Sequence, residues 1–152
     1  MIAIIGGGIA GLCLAVHLDK LGIDYIVFEK DECFTARRQG YGLTIQQANS
    51  IFKKLGWEDL VKSLDTPSTS HYVFSKTGTI EAFWGKAFSD FTKKESSRRK
   101  SKRYNIHLPR QELRKLFLVN MKDASRIRWS SKLQSIHEHK GKLKLNMVGN
   151  AV

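Results

Sequence analysis

Six residues constrain this chain more than any others: Gly6-Gly7-Gly8-Ile9-Ala10-Gly11, directly after an apolar run over residues 1–5. They fit the pattern G-x-G-x-x-G with Gly6, Gly8 and Gly11 in its three glycine places. Each place has a physical job. Gly6 lets the chain turn tightly out of a strand, Gly8 lets a pyrophosphate approach the backbone, and Gly11 lets helix and strand pack closely. The N–H groups at the helix start then face the phosphates, helped by the helix dipole. Alone the pattern is a weak signal, and its surroundings strengthen it. Leu12, Ala15, Val16, Leu18 and Leu21 recur at helical spacing, and Gly22 supplies a left-handed stop. Residues 24–28 read as a second buried strand, rich in β-branched and aromatic side chains. A right-handed crossover sets the two strands parallel and adjacent. Glu29 ends the second strand, 18 residues after Gly11. A carboxylate there can accept hydrogen bonds from ribose hydroxyls. Gly6, Gly8, Gly11 and Glu29 are therefore candidate dinucleotide-binding residues, with Ala10 inside the motif and Lys30 beside the acid.

The rest of the chain predicts a mixed continuation. Residues 37–45 read as a glycine-punctuated loop and 47–55 as a helix closed by Gly56. Residues 71–75 and 79–84 read as a hairpin around Lys76-Thr77-Gly78. Residues 105–108 resume strand character. Pro109 suits the first turn of a helix, whose buried face would carry Leu113, Leu116, Phe117 and Met121. Residues 127–129 predict a short strand, and residues 132–148 a second hairpin around Lys140-Gly141. The expected architecture is α/β: a Rossmann-like parallel sheet with β-hairpin excursions, at a length of 152 residues that fits one domain.

Three stretches resemble the FAD-dependent aromatic monooxygenases, the para-hydroxybenzoate hydroxylase family. They are IAIIGGGIAGLCLAVHLDKLGIDYIVFEK, RRQGYGLTIQQANSIFKKLGW and NIHLPRQELRKLFL. The resemblance implies FAD as cofactor and NAD(P)H as co-substrate. It also implies insertion of one oxygen atom of O₂ into a small aromatic or related substrate. In the second stretch it implies that a glycine-bearing segment passes close to the flavin, which nominates Gly42. The third matches an R-x-x-L-x-x-x-L segment through Arg110, Leu113 and Phe117, with Phe117 in place of the usual leucine. It nominates Arg110 as a contact of FAD. A cation in a helix's first turn is disfavoured by the helix dipole, which itself favours an anionic partner. Leu133 opens a strand whose backbone, by the same resemblance, meets the adenine. The resemblance runs along nearly the whole chain, and the family's next strand and acidic-glycine motif would follow the hairpin, where this sequence reads Gly149-Asn150-Ala151-Val152. Residues 1–152 are thus expected to be the N-terminal portion of a FAD-binding domain without a substrate domain. The chain alone is expected to bind FAD weakly or not at all, since half of the cradle is missing.

Charge keeps a second class open. Lys and Arg number 26 against 14 Asp and Glu, for a net charge of +12. Residues 93–103 hold seven cations and one acid, half of that excess. Such a run can bind phosphate backbones, yet it lacks interleaved aromatics for base stacking, and a solvated insertion loop is the expected reading. Nucleic acid is not the expected partner. An amine-oxidase-like flavoenzyme and a NAD-dependent reductase share the first motif, and Lys30 does not separate FAD from NAD. No residue stands out as a general base. His137 and His139 share a strand face without further metal ligands, so no metal is expected. Two cysteines, Cys13 and Cys33, make no disulfide framework and point to a reducing compartment such as the cytoplasm. Glycines interrupt the apolar N-terminus, and no basic residues precede it, so neither a membrane span nor a signal peptide is expected.

Overall fold

The structure is a computed structural model that describes residues 1–37, 40–45, 48–66, 70–85 and 106–148. The basic run over residues 93–103, Arg38, Gln47, Asn105 and the final residues 149–152 lie outside the described residues. In chain order the elements are β1 (Ile2–Ile5), α1 (Ile9–Leu21), β2 (Tyr25–Phe28), β3 (Gly42–Ile45), α2 (Asn49–Leu55), α3 (Glu58–Ser63), β4 (Ser70–Phe74) and β5 (Ile80–Gly85). They continue with β6 (Ile106–Pro109), α4 (Arg110–Val119), a 3-10 turn (Ala124–Arg126), β7 (Ile127–Arg128), β8 (Leu133–His139) and β9 (Lys142–Met147). Two compact units divide the chain: residues 1–41 with 109–152, and residues 42–108.

The first unit is built on a parallel sheet in the order β1-β2-β7. Ile2 pairs with Tyr25 and Ile5 with Phe28, and β2 continues onto β7 through Val27 and Ile127. This is the expected α/β arrangement. Among the described residues β1 pairs with β2 alone, so its other edge is open, and Ile2 and Ile5 are 39% and 46% exposed. Helix α1 ends as its sequence requires. Gly22 sits at φ 67°, its N–H donates to Asp19 O, and Ile23 N–H reaches back to Leu18 O. That pair of bonds is a Schellman closure.

Helix α1 packs on α4. Leu12, Ala15 and Val16 are buried on α1, Leu113 and Phe117 on α4, and Met121 just after it. Pro109 stands one place earlier than expected, as the extended N-cap of α4 (ψ 131°) rather than within its first turn. Leu116 is only half-buried, and Arg114 is buried in its stead. Asp19 is a further buried charge. Its carboxylate accepts the Tyr25 hydroxyl at 2.9 Å and the Lys122 N–H at 2.9 Å, which ties the end of α1 to β2 and to the segment after α4. The β8–β9 hairpin turns through Lys140 and Gly141, both with positive φ (51° and 70°), as a two-residue hairpin turn demands.

In the second unit β3 pairs with β6, and β4 with β5 in the antiparallel hairpin read from the sequence. Residues 42–45, expected as loop, form strand β3 instead: past Gly42, the Leu43-Thr44-Ile45 segment has extended-chain character and buries Ile45. Helix α3 was not expected, because six residues with one buried side chain, Val61, show no periodicity to read. Phe52, Leu55 and Trp57 are also buried around it. Among the described residues no helix is long and apolar enough to cross a membrane.

Two outcomes follow. Phe117 is 1% exposed, so Phe117→Ala should lower the unfolding free energy by about 3–5 kcal/mol in urea titrations. Tyr25 has its hydroxyl pKa pushed up, first by burial and then by its hydrogen bond to Asp19. The folded chain therefore holds that proton more tightly than the unfolded chain, whose tyrosines titrate at about 10. This contribution is complete below about pH 10 and is lost as pH rises through the folded value. Thermal melts across alkaline pH should show a shallower fall in Tm for Tyr25→Phe than for wild type.

Candidate dinucleotide-binding site

The chain leaves β1 through Gly6, whose φ of 103° no L side chain adopts comfortably. Its N–H still holds Phe28 O at 2.8 Å. A Cβ on Gly11 would collide with the Gly6 carbonyl oxygen and lie 3.2 Å from Ile4 Cγ2. Gly11 thus allows the close helix–strand approach read from its place in the motif. Gly8 is different: a Cβ there meets nothing within 4 Å, and the residue lines a cavity. Gly8 is also the N-cap of α1, with no side chain capping the helix and no acid in its first turn. The positive end of α1 is left open to an anion.

Two buried charges grip the residue between these glycines. Glu29, 6% exposed, accepts the Gly7 N–H through Oε2 and the Asp31 N–H at 3.0 Å through Oε1. Arg114, 3% exposed, donates from Nε to the Gly7 carbonyl at 2.8 Å and from Nη1 to Phe34 O at 3.1 Å. Its guanidinium lies 4.9 Å from the Phe34 ring centroid and 5.9 Å from that of Trp129. Backbone bonds from Glu29 N–H to Arg128 O, Ser131 N–H to Glu29 O and Ser130 N–H to Asp31 O extend the β2–β7 edge and hold the acid in place.

A cavity of 410 Å³ opens beside this turn, within the range of about 300–1,000 Å³ typical of ligand pockets. It gathers Gly6, Gly8, Glu29, Lys30, Arg110 and Leu133 from the sequence candidates. Five cations line it (Lys30, Arg37, Arg110, Arg114 and Lys132) against two carboxylates, Glu29 and Asp31. Both carboxylates are engaged, Glu29 by backbone N–H groups and Asp31 by Arg37, whose own pKa is pushed up by that bond. Ile5, Ile9, Phe28 and Leu133 supply apolar wall. Arg110 lies with its guanidinium 5.4 Å from the Tyr41 ring centroid, and its N–H donates to Tyr41 O at 3.2 Å. Ala10 is exposed in the first turn of α1 and is not among the lining residues. Gly42 opens β3 in the second unit, where a Cβ would come no closer than 3.9 Å to Leu108 O. Sequence reasoning missed Arg114 and Arg37. The legible signal for Arg114 was its place four residues after Arg110, on one helix face and in the middle of an apolar stripe.

The remaining reactive side chains lie elsewhere. Cys13 is half-buried, which pushes its thiol pKa up, and Cys33 is exposed, with its pKa lowered by a hydrogen bond to Thr35. His17 is half-buried, with Nδ1 2.8 Å from Cys13 O. His137 Nε2 meets Ser135 Oγ at 3.0 Å. Among the described residues no group of three metal-ligating side chains comes together. A second hollow of 700 Å³ under the β8–β9 hairpin contains none of the glycine turn.

A strand–helix–strand unit with parallel strands, whose helix start faces an open, cationic cavity, is a dinucleotide-binding fold. Residues 1–132 match the FAD dependent oxidoreductase family, and the chain belongs to that family. A 45-residue stretch, 30% of this chain and 5% of the relative, is 56% identical to the dual O-methyltransferase/FAD-dependent monooxygenase CTB3 of Cercospora beticola. Over 145 residues, 93% of this chain and 28% of the relative, it is 27% identical to the FAD-dependent monooxygenase esdpE of Penicillium shearii. Among solved structures, the flavin-dependent monooxygenase PieE in complex with FAD and substrate superposes with a TM-score of 0.71 at 20% identity. That match covers 95% of this chain and 26% of PieE, and it supports the fold. The chain spans less than a third of the length of each of these proteins. The monooxygenase relatives agree with the resemblance carried by the three sequence stretches.

The glycine turn allows a direct check. Because a Cβ at position 11 meets backbone rather than a movable side chain, Gly11→Ala should destabilise the chain by about 1–3 kcal/mol in urea unfolding.

Proposed function

We propose that this chain holds the adenosine diphosphate part of FAD in the cavity beside the glycine turn. In this reading residues 1–152 are the N-terminal portion of the FAD-binding domain of an NAD(P)H-dependent flavoprotein monooxygenase. The observation that carries the reading is the open start of α1 at Gly8, uncapped and set in a cavity with five cations. Family membership and the monooxygenase relatives support it. The flavin, when bound, supplies the redox chemistry, while the protein binds, orients and excludes water. In the chain's own part of that work, Gly8 and the first turn of α1 offer N–H donors to the pyrophosphate. Lys30 and Arg110 balance its charge. Glu29 keeps lone pairs for ribose hydroxyls beyond its two backbone bonds, and Leu133 with Ile5 and Ile9 flanks the adenosine. A small aromatic or related compound is the substrate class. The free thiols of Cys13 and Cys33 fit a reducing compartment.

Gly8 separates fold from function. At φ −78° it tolerates a side chain, and the space beyond its Cα is empty. Gly8→Ala, an alanine at a helix N-cap, should keep the unfolding free energy within about 1 kcal/mol of wild type. The same variant should weaken FAD and ADP at least about tenfold, because its methyl occupies the phosphate approach. Titration calorimetry reads this, and undiminished binding by Gly8→Ala would overturn the proposal.

A further inference from the structure

The peptide that joins Gly7 to Gly8 carries the Gly7 carbonyl and the Gly8 N–H. Among the described residues there are no cis peptides, and a planar trans peptide points these two groups in opposite directions. Whatever holds the carbonyl therefore aims the N–H. Arg114 holds that carbonyl, through Nε at 2.8 Å. The other polar group of Gly7, its N–H, is already taken by Glu29. The Gly8 N–H is thus the donor of this turn whose direction Arg114 sets, and it belongs to a residue that lines the cavity.

We infer that Arg114 is a positioning residue for the dinucleotide: it orients the Gly8 N–H toward the pyrophosphate through its hydrogen bond to the Gly7 carbonyl. Three observations make the arm rigid enough for this task. The side chain is 3% exposed, a second donor is fixed on Phe34 O, and the guanidinium is bracketed by the Phe34 and Trp129 rings. The role depends on the donor at Nε rather than on the charge. It acts on the phosphates and not on the adenosine. This inference rests on the reading of the cavity as the site of the adenosine diphosphate part of FAD.

Two conservative variants separate donor from charge. Arg114→Gln keeps an N–H donor at the position of Nε and loses the charge, whereas Arg114→Lys keeps the charge and has a methylene there. Calorimetric titration of the full chain with ADP and with adenosine compares them, and thermal melts confirm that each folds. Arg114→Lys should weaken ADP about tenfold and adenosine less than about twofold, whereas Arg114→Gln should hold ADP within about threefold of wild type. The Gly8 amide resonance should shift on ADP addition in wild type and Arg114→Gln, and not in Arg114→Lys. Should Arg114→Lys fail to fold, Arg114→Met, which also lacks the donor, takes its place. Equal losses for ADP and adenosine, the reverse order of the two variants, or no loss at all would each overturn the inference. A wild-type chain that binds no ADP would overturn the reading of the cavity as well.

Discussion

Gly7 is held from both sides by buried charge, Glu29 on its N–H and Arg114 on its carbonyl, and the shape of the site follows from that grip. Among the described residues neither charge has an opposite charge within ion-pair distance. Each is satisfied mainly by backbone, and the single glycine lets them compensate one another at one remove. Burying an isolated ion costs several kcal/mol, so an arrangement of this kind persists where the turn it fixes is worth the cost. The grip also crosses the sequence. It joins the loop after β1 to the end of β2 and to the middle of α4, residues 7, 29 and 114, and so ties the strand–helix–strand unit to the later helix.

What the grip leaves open matters as much as what it closes. With Gly7 turned inward, the start of α1 has neither a capping side chain nor a nearby acid of its own. Helix starts ordinarily satisfy such donors with Ser, Thr, Asp or Asn. Here the cap place is a glycine in a cavity rich in cations, and the two carboxylates within it are already committed. An anion is the partner that balances the donors and the surplus charge together.

Much of this was legible from spacing. Gly6 and Gly11 carry jobs set by backbone geometry, and φ at Gly6 and the clash at Gly11 match those jobs. Glu29 was read as a ribose partner; the structure adds two bonds to backbone N–H groups, a use that no residue pattern announces because the Gly7 bond depends on where the chain folds back 22 residues later. Arg114 was passed over because periodicity marks which face of α4 is buried and not which buried side chain finds a polar partner across the fold. Residues 42–45 were misread because glycines suggest loops, while pairing with β6 is a tertiary event. Asp19 is the same lesson in the core: an acid at a buried helix position makes sense only once the Tyr25 hydroxyl and the Lys122 N–H are seen around it.

The middle glycine of the run has a consequence for how this sequence can drift. In the pattern G-x-G-x-x-G the second place is free. Here a Cβ on Gly7 would lie 3.2 Å from both Cβ and Oε2 of Glu29. That is tighter than most Cβ contacts, so an alanine at position 7 requires the Glu29 side chain to give by a few tenths of an ångström. The two positions are therefore coupled in one direction: an alanine at position 7 costs less in a background where residue 29 is shorter or turned away than beside a glutamate folded back onto the turn.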